Sequence, residues 1–361
     1  MSISARFEVA FSRFLAPEGN VEQELPPFAR ERDAVLRLYR AMVLTRSFDT
    51  RAVALQRTGR LGTYASSLGQ EAVAVGAGDA MQAGDVLVPS FREHGAQWLR
   101  GVTLPEILQF WGGDERGSCF TAQPRDFPVS ITVGAHATHA VGVAHAMRYR
   151  REANAVVCVF GDGATSKGDV YEAMNIAGAW RSPVVFVVNN NQWAISMPRA
   201  AQSAAATLAQ KAIAAGIGGE QVDGNDVIAV RHAVAAALQR ARAGGGAHLI
   251  ECLSYRLCDH TTADDASRYR DDAEVSAHWK EDPLARLRTH LGAAWNWSRE
   301  EEEALQHECA RAVEEAAAAW LATAPQPPRA MFDHLHARLP LALEPQLATL
   351  QRHDGGTKAH G

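Results

Sequence analysis

Asp162 and Asn191 are the residues whose types and spacing could do chemistry together. An apolar run, Val156-Val157-Cys158-Val159-Phe160, leads into Gly161-Asp162-Gly163. A helix-like stretch follows over about 169–180, and a second apolar run, Val184-Val185-Phe186-Val187-Val188, opens into Asn189-Asn190-Asn191. This order predicts strand, tight turn, helix, strand. A right-handed crossover sets two such strands side by side in one parallel sheet, with both carboxyl ends on the same edge. Open α/β sheets bind ligands along that edge. An acid and an amide meeting there suit Mg²⁺, which prefers oxygen ligands in an octahedron. It takes one or two carboxylates and leaves positions for water and phosphate oxygens. The backbone carbonyl of Trp193, just past Asn191, is placed to add a third oxygen. Gly161 and Gly163 permit a sharp turn and close backbone approach. The amides of Gly163 and Ala164 fall near the start of the following helix, where phosphate is welcome. The expectation is a metal-bridged diphosphate at two neighbouring strand tips; the competing reading is a surface turn followed by an Asn-rich loop.

Composition narrows the function classes. The chain has 361 residues, 47% hydrophobic and 21% charged, enough for one large α/β domain or two smaller ones with a buried core. A net charge of -5 with scattered basic residues gives no footprint for nucleic acid or a membrane surface. No apolar run reaches membrane-spanning length. Residues 1–20 carry no apolar signal core, and Glu8 and Glu18 interrupt them as an organelle presequence, so the expected location is the cytoplasm. The five cysteines, 119, 158, 252, 258 and 309, are odd in number and lack CxxC spacing, which argues against a disulfide framework and a zinc site. Cys158 and Cys252 fall in apolar runs and read as packing residues.

The elements that must position the site follow from the pattern. Residues 1–30 read as an irregular arm ending in Pro26-Pro27. Residues 33–57 suit a helix, as do 71–81. Val86-Leu87-Val88 is a short strand followed by a loop over 89–95. Residues 112–134, rich in Gly, Pro and charge, read as a long loop, and 134–147 as a tightly packed helix. Residues 194–220 read as a loop plus a short helix. A helix over 226–243 stops at Gly244-Gly245-Gly246, a strand spans 248–253, and a second long loop covers 255–272. The remainder is helical, with an acidic stretch at 300–303, prolines at 325–328, and a Gly355-Gly356 tail expected to be disordered.

GDG, 26 residues, then NN, set in strand–turn–helix–strand, resembles the thiamine-diphosphate motif. Other stretches agree with it. Arg57-Thr58-Gly59-Arg60-Leu61-Gly62 with Gly69-Gln70-Glu71-Ala72, and Gln221-Val222-Asp223-Gly224-Asn225-Asp226, resemble segments of the α subunits of 2-oxo acid dehydrogenases. Tyr255-Arg256-Leu257-Cys258-Asp259-His260-Thr261-Thr262, with Asp264-Asp265 and Arg268-Tyr269-Arg270, resembles the family's active-site loop. The similarity runs from about 33 to 325. It is to the decarboxylating component of the two-subunit pyruvate dehydrogenase type, with branched-chain and then acetoin-cleaving relatives as alternatives.

The resemblance implies an α/β thiamine-diphosphate-binding fold, with a central, mostly parallel sheet and helices on both faces. It implies an arm over 1–32, the cofactor domain over 33–325 and a tail over 326–361. Asp162, Asn191 and the Trp193 carbonyl would hold Mg²⁺. Phe91 and Arg92 match an aromatic–arginine pair, with Arg92 on the diphosphate. The backbone at Ile131 and Val133 would meet the aminopyrimidine. His260 would sit beside the reacting ring and the diphosphate, guiding a proton during acyl transfer to a lipoyl group. One diphosphate module in a chain of this length implies a β subunit, expected in an α2β2 heterotetramer, which supplies the pyrimidine site and its glutamate. A lipoyl-bearing acyltransferase and a small 2-oxo acid complete the expected partners, and the enzyme would be an oxidoreductase with a disulfide acceptor.

Plainer alternatives stand beside these assignments. Arg92, in Arg-Glu-His, could form a surface salt bridge, and His260 could be a solvated loop histidine. His136, His139 and His145 fall near helical spacing, but packing accounts for them without a metal. Asp264-Asp265 could bind a cation or simply face water, and Val133 could be core. Gly117-Ser118-Cys119-Phe120 lacks the histidine that several relatives carry. The stretch 199–206 lacks an arginine that branched-chain relatives direct at the diphosphate. Lys211 resembles bacterial pyruvate-type members without an assigned role, and Thr261 stands where mitochondrial relatives have a regulatory serine. A nicotinamide oxidoreductase is disfavoured, because the first turn lacks GxGxxG and an acid about 20 residues on. A subunit that only binds cofactor is disfavoured by the intact His260 loop.

Overall fold

The computed structural model describes Ile3 and residues 5–354; the Gly355-Gly356 tail lies outside the described residues. By internal contacts the chain divides into a unit ending at Ala317 and a second beginning at Ala318, within the helix Arg299–Leu321. The second unit carries the helices Ala330–Asp333 and Glu344–Asp354.

The first unit is built on a six-stranded parallel sheet. Its strands are β1 (Ala10–Ser12), β2 (Val86–Val88), β3 (Val156–Gly161), β4 (Val184–Asn190), β7 (Gly218–Asp223) and β8 (His248–Leu253), in the order β1-β7-β8-β4-β3-β2. Two further strands, β5 (Trp193–Ala194) and β6 (Met197–Pro198), form a small antiparallel hairpin. The helices are α1 (Arg32–Arg57), α2 (Glu71–Ala80), α3 (His94–Leu99), α4 (Leu104–Trp111), α5 (His136–Tyr149), α6 (Gly168–Ala179), the single turns α7 (Arg199–Gln202) and α8 (Lys211–Ala214), and α9 (Val227–Arg242).

Strand alternation explains the layers. Val157, Val159, Val185, Val187 and Ile250 join the core formed with α1, α2 and α9. Their neighbours Val156, Cys158, Phe160, Val184, Phe186 and Val188 join a second core with α5 and α6. Side chains of successive residues point to opposite faces. With both faces covered by helices, β3 and β4 must be apolar at every position, which is why they read as continuous runs. The result is an α/β sandwich with helices on both faces.

Two strands depart from the sequence expectation. The arm is not wholly irregular: β1 pairs with β7, Ala10 opposite Glu220 and Ser12 opposite Val222. β7 itself begins inside the segment expected to be loop and short helix. Its sequence, Gly-Gly-Glu-Gln-Val-Asp, carries one apolar side chain, so neither β-propensity nor alternation marks it. Its place is set instead by pairing with β8, Gly218 opposite His248 through Asp223 opposite Leu253.

Asp226 ties the arm to the helix that follows β7. Its Oδ1 accepts from the backbone N–H of Ile228 and Ala229, capping α9, while Oδ2 accepts from Phe14 N and Leu15 N, both at 2.8 Å. The carboxylate is fully buried, and burial raises its pKa while the Leu15 and Phe14 N–H groups and the Arg286 charge oppose the rise. Asp226→Ala removes a helix cap and orphans the two N–H groups beyond β1. We expect a loss of about 2 kcal/mol or more, read as a lowered unfolding midpoint; an unchanged midpoint would show that the arm does not depend on this carboxylate.

Candidate active site

Parallel pairing of β3 with β4 places Gly161 opposite Asn189. The next residues of both strands therefore leave the sheet on one edge. Loops after β2, β3, β4 and β8 converge there, with the approach to α5, around a cavity of about 830 Å³. Phe91 and Arg92 come from the loop after β2, Asp162, Gly163 and Ala164 from the turn after β3, Asn191 and Trp193 from the exit of β4. Ile131 and Val133 come from the segment before α5, and His260 from the loop after β8. All ten line this one cavity.

Asp162 opens a 3-10 turn, Asp162–Ser166, that separates β3 from α6. The amides of Gly163 and Ala164 thus belong to this turn, one turn ahead of the main helix. A Cβ on Gly163 would meet the Cβ of Ala194 at 2.6 Å, so the turn can lie against the β5–β6 hairpin only with glycine there. The Asp162 carboxylate is buried and accepts from Gln202 Nε2 at 3.1 Å. Burial pushes its pKa up to about 6, and the Gln202 bond and the Arg256 charge oppose that rise. Lys211, buried behind the turn, donates from Nζ to Thr165 O at 2.7 Å and to Thr165 Oγ1 at 3.0 Å. Thr165 Oγ1 donates to Asp162 O at 2.8 Å. Lys211 therefore braces the turn from outside the cavity.

The Asn191 amide donates from Nδ2 to Gln70 Oε1 at 2.7 Å, and its Oδ1 accepts from Trp193 N at 3.2 Å. Trp193 O lies 3.4 Å from Arg256 Nη1. One carboxylate, one amide oxygen and one carbonyl oxygen at adjacent strand tips are the donor types a hard divalent cation accepts alongside phosphate and water. Among the described residues no group of three or more His, Cys, Asp or Glu is placed to hold a metal ion, so mixed oxygen donors are the set available.

Arg92 is buried and does not form the surface ion pair its neighbours allowed. It donates through Nη1 to Ser66 O and through Nη2 to His260 O at 2.6 Å, with its guanidinium over the Phe91 ring at 5.2 Å. His260 Nδ1 lies 3.2 Å from Arg92 Nη2 and 3.3 Å from Arg256 Nη1. A guanidinium has only donors, so Nδ1 must accept and the proton resides on Nε2. Burial, then the two arginines, hold His260 down to about pKa 4, so at neutral pH the ring is uncharged. His260 is half-buried and its ring meets that of Phe91 edge-on, 6.1 Å between centroids.

The 255–272 loop is held down by its own motif residues. Arg256, fully buried, donates to Ile195 O at 2.8 Å and Tyr269 Oη at 2.9 Å. Arg270 donates to Arg256 O and to Cys258 O, while Asp264 accepts from His260 N and from Tyr269 Oη. Asp264 thus anchors the loop. The other histidines pack: His136 Nε2 pairs with Val159 O at 2.8 Å, His139 lies against Phe127, and His145 against Trp180.

Sequence reasoning gave no site role to Gln70, Glu93, Gln202 or Asn189, all of which line the cavity, nor to its apolar wall of Phe110, Trp111, Ile195 and Met197. Gln70 stood in a stretch carrying the resemblance, and Glu93 adjoined Arg92. Those positions were the available signals, since no periodicity marks a polar residue whose role is tertiary.

The parallel sheet with its oxygen donors on the carboxyl edge is an α/β thiamine-diphosphate-binding fold. The chain belongs to the dehydrogenase E1 component family, whose model matches residues 39–329. It is 46% identical over 266 residues to the 3-methyl-2-oxobutanoate dehydrogenase subunit alpha of Mycobacterium tuberculosis, covering 74% of this chain and 72% of that one. It is 40% identical over 289 residues to the pyruvate dehydrogenase E1 component subunit alpha of Acholeplasma laidlawii, covering 80% and 82%. To the protein of that same description from Bacillus cereus it is 37% identical over 351 residues, covering 96% and 93%.

Glu93 gives the cavity a pH signature. It is buried, and burial pushes its pKa from 4.5 up to about 7, against backbone N–H donors and the Arg92 charge. Folded Glu93 therefore holds a proton that the unfolded chain releases. Its contribution to stability is fully present below the ordinary glutamate range and is lost as pH rises through about 7. Glu93→Gln cannot ionise and escapes that loss, on the order of 3 kcal/mol at alkaline pH. The unfolding midpoint of the variant should gain on the parent from pH 5 to about pH 7 and level off by pH 8.5; a pH-independent gap would exclude a protonated Glu93.

Proposed function

We propose that this chain is the α subunit of a thiamine-diphosphate-dependent 2-oxo acid dehydrogenase that decarboxylates pyruvate and passes the acetyl group to a lipoyl group. The carrying observation is the convergence of Asp162, Asn191, the Trp193 carbonyl, Arg92 and His260 on one cavity in a chain of this family. Residues 33–325 form the cofactor domain in this reading, with an arm before it and a tail after. Bound thiamine diphosphate supplies the nucleophilic carbon and the electron sink for decarboxylation. Asp162, Asn191 and Trp193 O hold Mg²⁺, and the Gly163 and Ala164 amides and Arg92 receive the diphosphate. The backbone at Ile131 and Val133 meets the aminopyrimidine. His260, neutral with its proton on Nε2, is a hydrogen-bond donor toward the reacting carbonyl rather than a base.

The partner is a β subunit, in an α2β2 assembly in the cytoplasm, and the lipoyl group arrives on an acyltransferase component. Ile131, Val133, Ile195 and Met197 are exposed apolar residues from segments lining the cavity. Exposed apolar clusters of this kind mark protein interfaces, which supports a second chain closing the site. Among the described residues no helix is long and apolar enough to cross a membrane.

A second reading is branched-chain 2-oxo acid chemistry, favoured by the 46% identity to the Mycobacterium tuberculosis relative; an acetoin-cleaving role comes after it. Turnover of pyruvate against 2-oxoisovalerate by the α–β pair separates them. Faster pyruvate turnover is expected, and the reverse order assigns the branched-chain reading. In the same assembly His260→Ala should slow lipoyl acylation by roughly 10²–10⁴-fold; an unchanged rate would remove His260 from the chemistry.

A further inference from the structure

Gln70 heads α2, yet its side chain makes no capping bond to that helix. It is 1% exposed and lines the cavity. Gly69 before it has φ +85°, and a Cβ there would meet Tyr255 O at 2.6 Å, so the chain reverses tightly beneath the 255–272 loop and delivers Gln70 to the tip of β4. There Gln70 Oε1 accepts two hydrogen bonds, from Asn189 Nδ2 at 3.1 Å and from Asn191 Nδ2 at 2.7 Å. Its Nε2 is buried and has no partner.

The orientations of these amides are fixed in a chain that starts at the backbone. Trp193 N–H can only donate, and it lies 3.2 Å from the Asn191 amide, so the oxygen of that amide must face Trp193. Asn191 Nδ2 then faces Gln70, and Gln70 must present its oxygen. Turning Gln70 over would relieve its orphaned N–H only by setting it against two amide N–H groups. The orphan is therefore a consequence of holding Asn191 with its oxygen toward Trp193 N.

We propose that Gln70 is a positioning residue for the divalent cation: by gripping the nitrogen of Asn191 it keeps Asn191 Oδ1 available as a ligand. This rests on the assignment of Asp162, Asn191 and Trp193 O to the metal. A free asparagine amide can turn and offer a nitrogen, which does not ligate; the Trp193 N–H holds the oxygen and Gln70 Oε1 holds the nitrogen against that turn. Partners that orient metal ligands typically change metal affinity 10–100-fold when removed.

The test uses the α–β assembly with thiamine diphosphate and Mn²⁺ as the metal, reading free Mn²⁺ by electron paramagnetic resonance. Gln70→Leu should weaken Mn²⁺ retention by roughly 10–100-fold. Gln70→Glu keeps acceptor oxygens at the same reach and should retain the metal nearly as well as the parent. In the Asn191→Asp background both ligand atoms are oxygens and need no orienting, so adding Gln70→Leu should cost far less, a non-additivity that general destabilisation does not produce. Parent-like retention by Gln70→Leu, a Gln70→Glu as weak as Gln70→Leu, or an undiminished effect in the Asn191→Asp background would each overturn the proposal. Asp162→Ala separates the levels. If it too retains Mn²⁺, the metal assignment itself fails; if it alone loses Mn²⁺, only the role of Gln70 does.

Discussion

The parallel register of β3 and β4 is the constraint on which the site depends. With Gly161 opposite Asn189, the residues that follow each strand emerge within reach of one another. A one-residue slip would exchange the two faces of β4 between the cores and carry Asn189 and Asn191 away from Gln70. The slip is opposed along the whole strand, because Val184 to Val188 are buried on both faces and every second residue belongs to a different core. β8 then fixes the third contributor. Its pairing sets Asn190 opposite Leu253, so the loop bearing His260 leaves the sheet beside Asn191. Core packing and site geometry are thus one specification.

The second organising feature is charge held in a dry place. Arg92 and Arg256 are both buried, and their guanidinium groups find backbone carbonyls and His260 Nδ1 rather than carboxylates. Asp162 is buried with Gln202 Nε2 and the backbone N–H groups of Asp162 and Gly163 as its donors and no ion pair among the described residues. In low dielectric such incomplete pairing is costly. Under the proposed function these costs would fall when a diphosphate meets Arg92 and its cation meets Asp162. Burial and these same two arginines keep His260 neutral, with Nδ1 turned toward their guanidinium groups.

Sequence made the centre of the sheet legible and left its edge obscure. β3 and β4 announce themselves as unbroken apolar runs because both their faces are covered. β7 and β1 have partners instead of propensity: β7 has one buried apolar side chain in a run of Gly, Glu and Gln, and β1 is three residues long. The site divides in the same way. Asp162, Asn191, Arg92 and His260 sat in spaced motifs and all reached the cavity. Gln70 did not stand out, because its role comes from a contact between distant segments, Gln70 and Asn191 being 121 residues apart in sequence, and Glu93 did not because only the fold buries it. The motif around Tyr255–Arg270 was legible as a pattern, but its physical content, a buried Arg256 stitching the loop to the hairpin carbonyls, required the fold.

Why the loops and not the strands carry the chemistry follows from the same packing. The interiors of β3 and of β4 up to Val188 are committed on both faces to the two cores, whereas the residues beyond the strand ends are free to be Asp, Asn, Arg or His. Four strand ends supply one or two such groups each, and the remaining rim is apolar and exposed at Ile131, Val133, Ile195 and Met197. That rim cannot be satisfied by this chain alone without exposing hydrophobic surface beside a charged cavity. A site built half of buried polar groups and half of uncovered apolar ones is complete only when a second surface closes over it, which is the physical ground for a partner subunit at the cavity mouth.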